Sequence, residues 1–230
     1  METAGKKSND LTMIATILLL AAAMRGVILF TGQRWLRSDE AVVGLMAKHI
    51  FTRGERPIFL YGQSYGGGHA IVAYLAAPMF AAFGRSPILL TGISASLSVV
   101  NIWLVWLILK RLFGGATASL GAALYAFSPP VVYQSFLING GTETFLLALM
   151  ALHFFLRSYM GRGPRPLAEF LAGAFGGLAY WGMDYALLYP AVFVALWLIS
   201  SAHRRWGLFA RFTVGFLVGC SPPSGGPRFC

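Results

Sequence analysis

Ser38-Asp39-Glu40 sets two carboxylates side by side in a chain with only eight acidic residues. Between positions 34 and 69 they are accompanied by the basic residues Arg34, Arg37, Lys48, Arg53 and Arg56. The stretch RGERPIFLYGQSYGGGHA (53–70) adds Tyr61, Gln63 and Tyr65, side chains with hydroxyl, amide and aromatic surface of the kind sugars pack on. A carboxylate at a water-accessible position can take a proton from an attacking hydroxyl. Arg or Lys beside it can neutralise a departing phosphate. Plain structural readings stand next to these. Serine is a good helix N-cap, and two acids in a first turn complement the helix dipole. Val42, Val43, Met46 and Ile50 share one helical face. Gly62, Gly66, Gly67 and Gly68 would simply permit a turn, and the run is no phosphate loop, because it lacks the GxxxxGK[ST] pattern.

Three other charged residues sit where chemistry or structure could claim them. Glu143 opens an apolar run in NGGTETF (139–145). It is either a substrate contact or a first-turn acid of a helix capped by Thr142 or Asn139. Asp184, in YWGMDY (180–185), is either a ligand or a turn residue. Arg25 lies inside an apolar run, where a charge faces a cavity or partner or else snorkels to the interface.

The elements that must hold these residues are apolar. Of 230 residues, 57% are hydrophobic and 11% charged, and the mean hydropathy is +0.67. That is the composition of a polytopic membrane protein. A spanning helix needs about 20 apolar residues, and the first candidate covers 11–31. Its start resembles a signal peptide, with Lys6 and Lys7 ahead of a short apolar stretch and Ala21-Ala22-Ala23 as a cleavage site. The apolar run continues past that point, which favours a retained helix. The segment 69–84 is short and contains Pro78, and reads as a helix lying on or dipping into the outer surface. Further spans are expected at 87–109, at 116–132 with a break at Pro129-Pro130, at 142–156, at 167–180, at 185–200 and from 208 onward. The fold class is therefore all-α: a transmembrane bundle of six or seven spans with an outer loop carrying interfacial helices. Residues 1–219 form this incomplete module, and 220–230 (CSPPSGGPRFC) read as an atypical, truncated or frame-shifted tail.

The net charge of +10 would suggest a nucleic-acid partner in a soluble chain. Here it follows topology, and no nucleic acid is expected. Lys6–Lys7, Lys110–Arg111, Arg157 with Arg162 and Arg165, and His203–Arg204–Arg205 all fall in alternate connections, so the positive-inside rule puts them and the N-terminus in the cytoplasm. The outer loops are then 32–86, about 133–141 and about 181–184. Five of the eight acids lie in or beside them: Asp39, Glu40, Glu55, Glu143 and Asp184. The two cysteines, Cys220 and Cys230, form neither a disulfide framework nor a metal-type spacing.

The functional reading of a carboxylate at the mouth of such a bundle is a general base. If the donor is a sugar on a polyprenyl phosphate, the phosphate leaves without general-acid help, and one base suffices to deprotonate the acceptor hydroxyl.

The order of these motifs resembles the C-type superfamily of membrane glycosyltransferases. Within it the chain is similar to dolichyl-phosphate-mannose protein mannosyltransferases and to the bacterial aminoarabinose and lipopolysaccharide-core transferases. The likeness rests on Arg25 late in the first span and SDEA (38–41) opening the first outer loop. It continues with GERPIFLYGQSYGG (54–67), APMFAAFGRSPILLTGISA (77–95) and LKRLFGG (109–115). It implies that the acidic pair contains the catalytic base, Asp39, with Glu40 in support. It also implies a polyprenyl-phosphate sugar donor, a lipid, glycan or protein acceptor, contact with membrane lipids, and catalysis at the outer side of the plasma (inner) membrane. Some members use a divalent metal and others do without one; no other cofactor is implied. Arg25, Arg34, Arg37, Lys48, Tyr61, Gln63, Tyr65, Glu143 and Asp184 are the expected substrate contacts. Two rival expectations are a transporter or flippase for lipid-linked sugars, which would place ionisable groups at the midplane of broken helices, and an inactive fragment of a glycosyltransferase.

Overall fold

The computed structural model describes residues 4–32, 37–63, 67–161, 165–199 and 206–221. Arg34, Tyr65, the basic cluster 203–205 and the tail beyond 221 lie outside the described residues. Among the described residues every regular element is helical: α1 (Ala4–Thr31), α2 (Ser38–Arg53), α3 (Gly68–Phe83), α4 (Pro87–Phe113), α5 (Gly115–Phe127), α6 (Pro129–Gln134), α7 (Gly141–Tyr159), α8 (Pro166–Gly182), a 3-10 turn (Asp184–Leu187), α9 (Leu188–Ile199) and α10 (Trp206–Cys220).

Local sequence accounts for most boundaries. The Ser86 hydroxyl accepts from the Ile88 N–H at 3.3 Å and Pro87 opens α4, whose last turn carries Lys110 and Arg111, as capping and dipole both favour. At the end of α2, Gly54 takes φ 67° and its N–H returns to the Ile50 carbonyl, a conformation that favours glycine. The expected span 116–132 divides at Ser128 into α5 and α6, because Pro129 and Pro130 lack the N–H groups that would continue the helix.

Two expectations are corrected. Ser38 does not cap α2; it is the first helical residue, after an extended Arg37 at the cap position, and its hydroxyl donates to Asp39 Oδ1 at 3.4 Å. Pro78 does not interrupt 69–84. That segment is the continuous helix α3, and His69, Ala70, Val72, Ala73 and Ala76 are buried, packing in a core shared with α2 and the start of α4.

Two helical stretches, Asn9–Thr31 and Pro87–Phe113, are long and apolar enough to cross a membrane; α3, α5, 184–199 and α10 are apolar but shorter. Contacts along the helices show that the chain runs back and forth between two ends. Asp10 meets Lys110 near one end of the α1–α4 pair and Arg25 meets Ser98 nearer the other, so α1 and α4 are antiparallel. Arg25 also reaches the Ala126 carbonyl late in α5. Ser158 bonds Glu169 where α7 turns into α8, and a Cβ on Gly182 would strike Thr144 at the far end of the same pair. One end thus gathers the C-terminus of α1, the start of α4, α6, the start of α7 and the end of α8, and it is covered by α2 and α3. The Gly67 N–H donates to the Trp181 carbonyl at 3.1 Å there.

The tightest helix pair is α8 with α10. A Cβ on Gly173 or Gly177 would sit 2.0 or 2.2 Å from the Phe212 or Phe216 carbonyl oxygen, and one on Gly215 or Gly219 would sit 2.2 or 2.1 Å from those of Phe170 or Ala174. Two glycines four apart on each helix let the backbones touch, the packing that small residues make in apolar surroundings.

Candidate functional site

The acidic pair is divided in the first turn of α2. Glu40 is buried with Val43, Met46 and Ala47; Asp39, one residue before it, is exposed, although Val43 and Met46, four and seven residues on, lie on its own side of the helix. Glu40 is 7% exposed. Its Oε2 accepts from the Arg37 N–H at 3.1 Å and its Oε1 from the Ile138 N–H at 3.4 Å. A buried carboxylate is tolerable when backbone donors satisfy it, and Glu40 in return ties the first turn of α2 to the segment between α6 and α7. Asp39 makes one side-chain bond among the described residues, the weak one from Ser38 Oγ. Its carboxylate is open to solvent.

Around this turn, Arg37 is exposed and its Nη2 donates to the Tyr133 hydroxyl of α6 at 2.6 Å. Lys48 is half-buried and lies about two and a half turns along α2, on the opposite side from Asp39; the two are not brought together. The hydroxyl of Tyr61 donates to Glu55 Oε2 and lies 3.3 Å from His49 Nδ1, while Arg53 approaches Glu55 at 3.5 Å. The Tyr61 hydroxyl is the main reason the Glu55 carboxyl is held below its usual range, with His49 and Arg53 adding to it against a smaller effect of burial. Partial burial first, then Glu55, pushes the Tyr61 phenol up. This clasp folds the 54–63 loop onto the end of α2. Gln63 is exposed beyond it, its N–H bonded to the Leu60 carbonyl at 3.0 Å.

Arg25 does not snorkel. It is 2% exposed, and its guanidinium turns between α4 and α5, donating to Ser98 Oγ at 3.1 Å, the Ala126 carbonyl at 3.2 Å and the Ala21 carbonyl at 3.3 Å. Glu143 is 1% exposed, and neither carboxyl oxygen has a hydrogen-bond partner. Gly140 occupies the cap position of α7. Of the two expected caps, Asn139 serves the helix start, its Oδ1 accepting from the Gly141 N–H at 3.0 Å, whereas the Thr142 hydroxyl donates to the Gln134 carbonyl. Asp184 is exposed in the turn between α8 and α9.

A cleft of about 360 Å³ opens between α4, α5, α6 and α7, lined among others by Ser98, Asn101, Tyr125, Gln134, Thr142 and Phe145. The sequence reading missed it. The signal was present as a polar stripe, Ser94, Ser98 and Asn101, at helical spacing inside an otherwise apolar span. Among the described residues, no three His, Cys, Asp or Glu side chains converge.

Comparison with known proteins gives one finding. A family model described as dolichyl-phosphate-mannose-protein mannosyltransferase matches residues 69–223, more than half of the chain. The match runs from the start of α3 past the end of α10 and begins after the acidic pair. No curated protein and no solved structure matches the chain.

Proposed function

The chain belongs to the dolichyl-phosphate-mannose-protein mannosyltransferase family, and from that premise we propose that it transfers a sugar from a polyprenyl-phosphate donor to an acceptor hydroxyl at the extracytoplasmic side of the membrane, with Asp39 as the general base. Membership makes it a membrane glycosyltransferase that draws on a lipid-linked sugar. The observation that carries the finer reading is the division of labour in the acidic pair. Glu40 is spent on two backbone N–H groups, while Asp39, fixed on the same turn, faces solvent with its oxygens nearly unengaged.

In the reaction, the acceptor oxygen attacks the anomeric carbon from the face opposite the phosphate. The bond from that carbon to the phosphate oxygen breaks, the polyprenyl phosphate takes the electron pair, and the acceptor proton passes to Asp39. The configuration inverts because a single displacement occurs. Glu40 holds the turn that aims Asp39. Arg37, steadied by Tyr133, is the described basic residue nearest in sequence to Asp39 and would meet the charge growing on the phosphate; Arg34 and Lys48 are further candidates. Tyr61, Gln63 and Tyr65 would contact sugar or acceptor, with the Tyr61 hydroxyl already engaged by Glu55.

Transfer of radiolabelled sugar from a polyprenyl-phosphate donor, followed in membranes containing the protein, tests the role of Asp39. Asp39→Asn keeps the size of the side chain and removes the base, so turnover should fall by roughly 10²–10⁴-fold, the usual worth of a general base. Undiminished turnover removes Asp39 from the mechanism.

A further inference from the structure

The cleft between α4 and α7 carries an inference that does not depend on the role of Asp39. Its volume of about 360 Å³ is within the range of small-ligand sites. On its α4 wall, Asn101 is 1% exposed and donates Nδ2 to the Thr142 carbonyl at 3.1 Å. That bond fixes the orientation of the amide and leaves Oδ1 a buried acceptor with no partner. One turn away, Ser98 accepts from Arg25 Nε, which leaves the hydroxyl hydrogen to donate. Tyr125 and Phe145, ring centroids 5.9 Å apart, supply aromatic surface, and Pro130 and Val131 an apolar rim. Among the described residues no acidic or basic side chain lines the cleft, and the Arg25 charge behind it is covered and engaged.

We propose that this cleft binds the neutral, hydroxyl-bearing head group of an amphiphile, with a hydroxyl donating to Asn101 Oδ1 and the rest of the head resting on Tyr125 and Phe145. A buried acceptor without a donor is unfavourable, and a ligand hydroxyl satisfies it. A charged head group would find no counter-charge, and a ligand without hydroxyls would leave Oδ1 as it is. The apolar rim suits the attached chain.

The probe is an alkyl glucoside with a photoreactive diazirine in its chain, added to the full chain in phosphatidylcholine nanodiscs, with labelled peptides mapped by mass spectrometry. Labelling should concentrate on peptides containing Asn101, Tyr125 to Val131 and Phe145. It should be displaced by excess octyl glucoside and not by octyl phosphocholine. Asn101→Leu should lower labelling by roughly fivefold, one hydrogen bond's worth of affinity. Val131→Trp should lower it at least as far by filling the rim; because α6 contributes no buried residue, that variant leaves the packed core alone. Labelling spread evenly over the protein, unchanged labelling in both variants, or equal displacement by octyl phosphocholine would overturn the proposal. The assay needs no donor and no turnover, so its failure is separate from any failure of the Asp39 mechanism.

Discussion

Adjacent acids in one turn of α2 have opposite fates: Asp39 is exposed and Glu40 is buried. Glu40 is buried with Val43, Met46 and Ala47, where, among the described residues, the N–H groups of Arg37 and Ile138 make its burial tolerable. Truncating it leaves the N–H of Ile138, which is 1% exposed, without its acceptor and removes the bond to Arg37. Glu40→Ala should therefore lose about 1–3 kcal/mol of stability, read as a lower thermal midpoint in detergent, and Glu40→Gln less, since one acceptor oxygen remains. Equal midpoints for wild type and Glu40→Ala would show that the two bonds contribute nothing. Sequence periodicity does not separate the pair: Val42, Val43, Met46 and Ile50 stand three, four, seven and eleven residues after Asp39, on the face where Asp39 itself falls. Nor can it supply Ile138, which lies 98 residues further on. Arg25 makes the same point: an Arg in an apolar run leaves snorkelling and burial both open, and the choice is made by acceptors on α4 and α5 that only the folded chain brings near.

At the scale of elements, proline and glycine were legible where their local effect is strong and illegible where packing decides. Pro129 and Pro130 end α5 as expected, because two consecutive residues without N–H groups cannot continue a helix. Pro78 fails to break α3, where Ala73, Ala76 and Ala77 just before it are buried against neighbouring helices. The glycines of α8 and α10 stand four apart in the sequence, yet nothing local says that the two helices touch. Gly177→Leu should force them apart, since even a Cβ would lie 2.2 Å from the Phe216 carbonyl oxygen; a loss of about 1–3 kcal/mol or more is expected, as for overpacked cores. Gly176→Ala is the control, its Cβ meeting the Phe216 ring at an ordinary 3.7 Å. Thermal unfolding of the two variants side by side checks this, and equal midpoints would contradict it.

For the molecule as a whole, the alternation of helices turns a sequence pattern into a spatial one. Asp39, Glu40, Glu55, Glu143 and Asp184 belong to one end of the bundle. Asp10 and Glu169 belong to the other, where each has a basic partner, Lys110 at 2.8 Å and Arg211 at 2.6 Å. The acid-rich end and the Lys- and Arg-rich end were legible as charge alternating between apolar runs. The number of spans was less so: α3, α5, 184–199 and α10 are apolar but shorter than a full bilayer crossing, and length alone does not say how each sits in lipid. The account as a whole rests on Asp39 facing away from the cytoplasm, where the lipid-linked donor presents its sugar. Ser38 is exposed beside it, so a Ser38→Cys variant with Cys220 and Cys230 replaced by serine places one thiol at the site, and its reaction with a membrane-impermeant maleimide in intact cells reads the side directly. Full labelling without permeabilisation is the predicted result; labelling only after the membrane is opened would contradict the account.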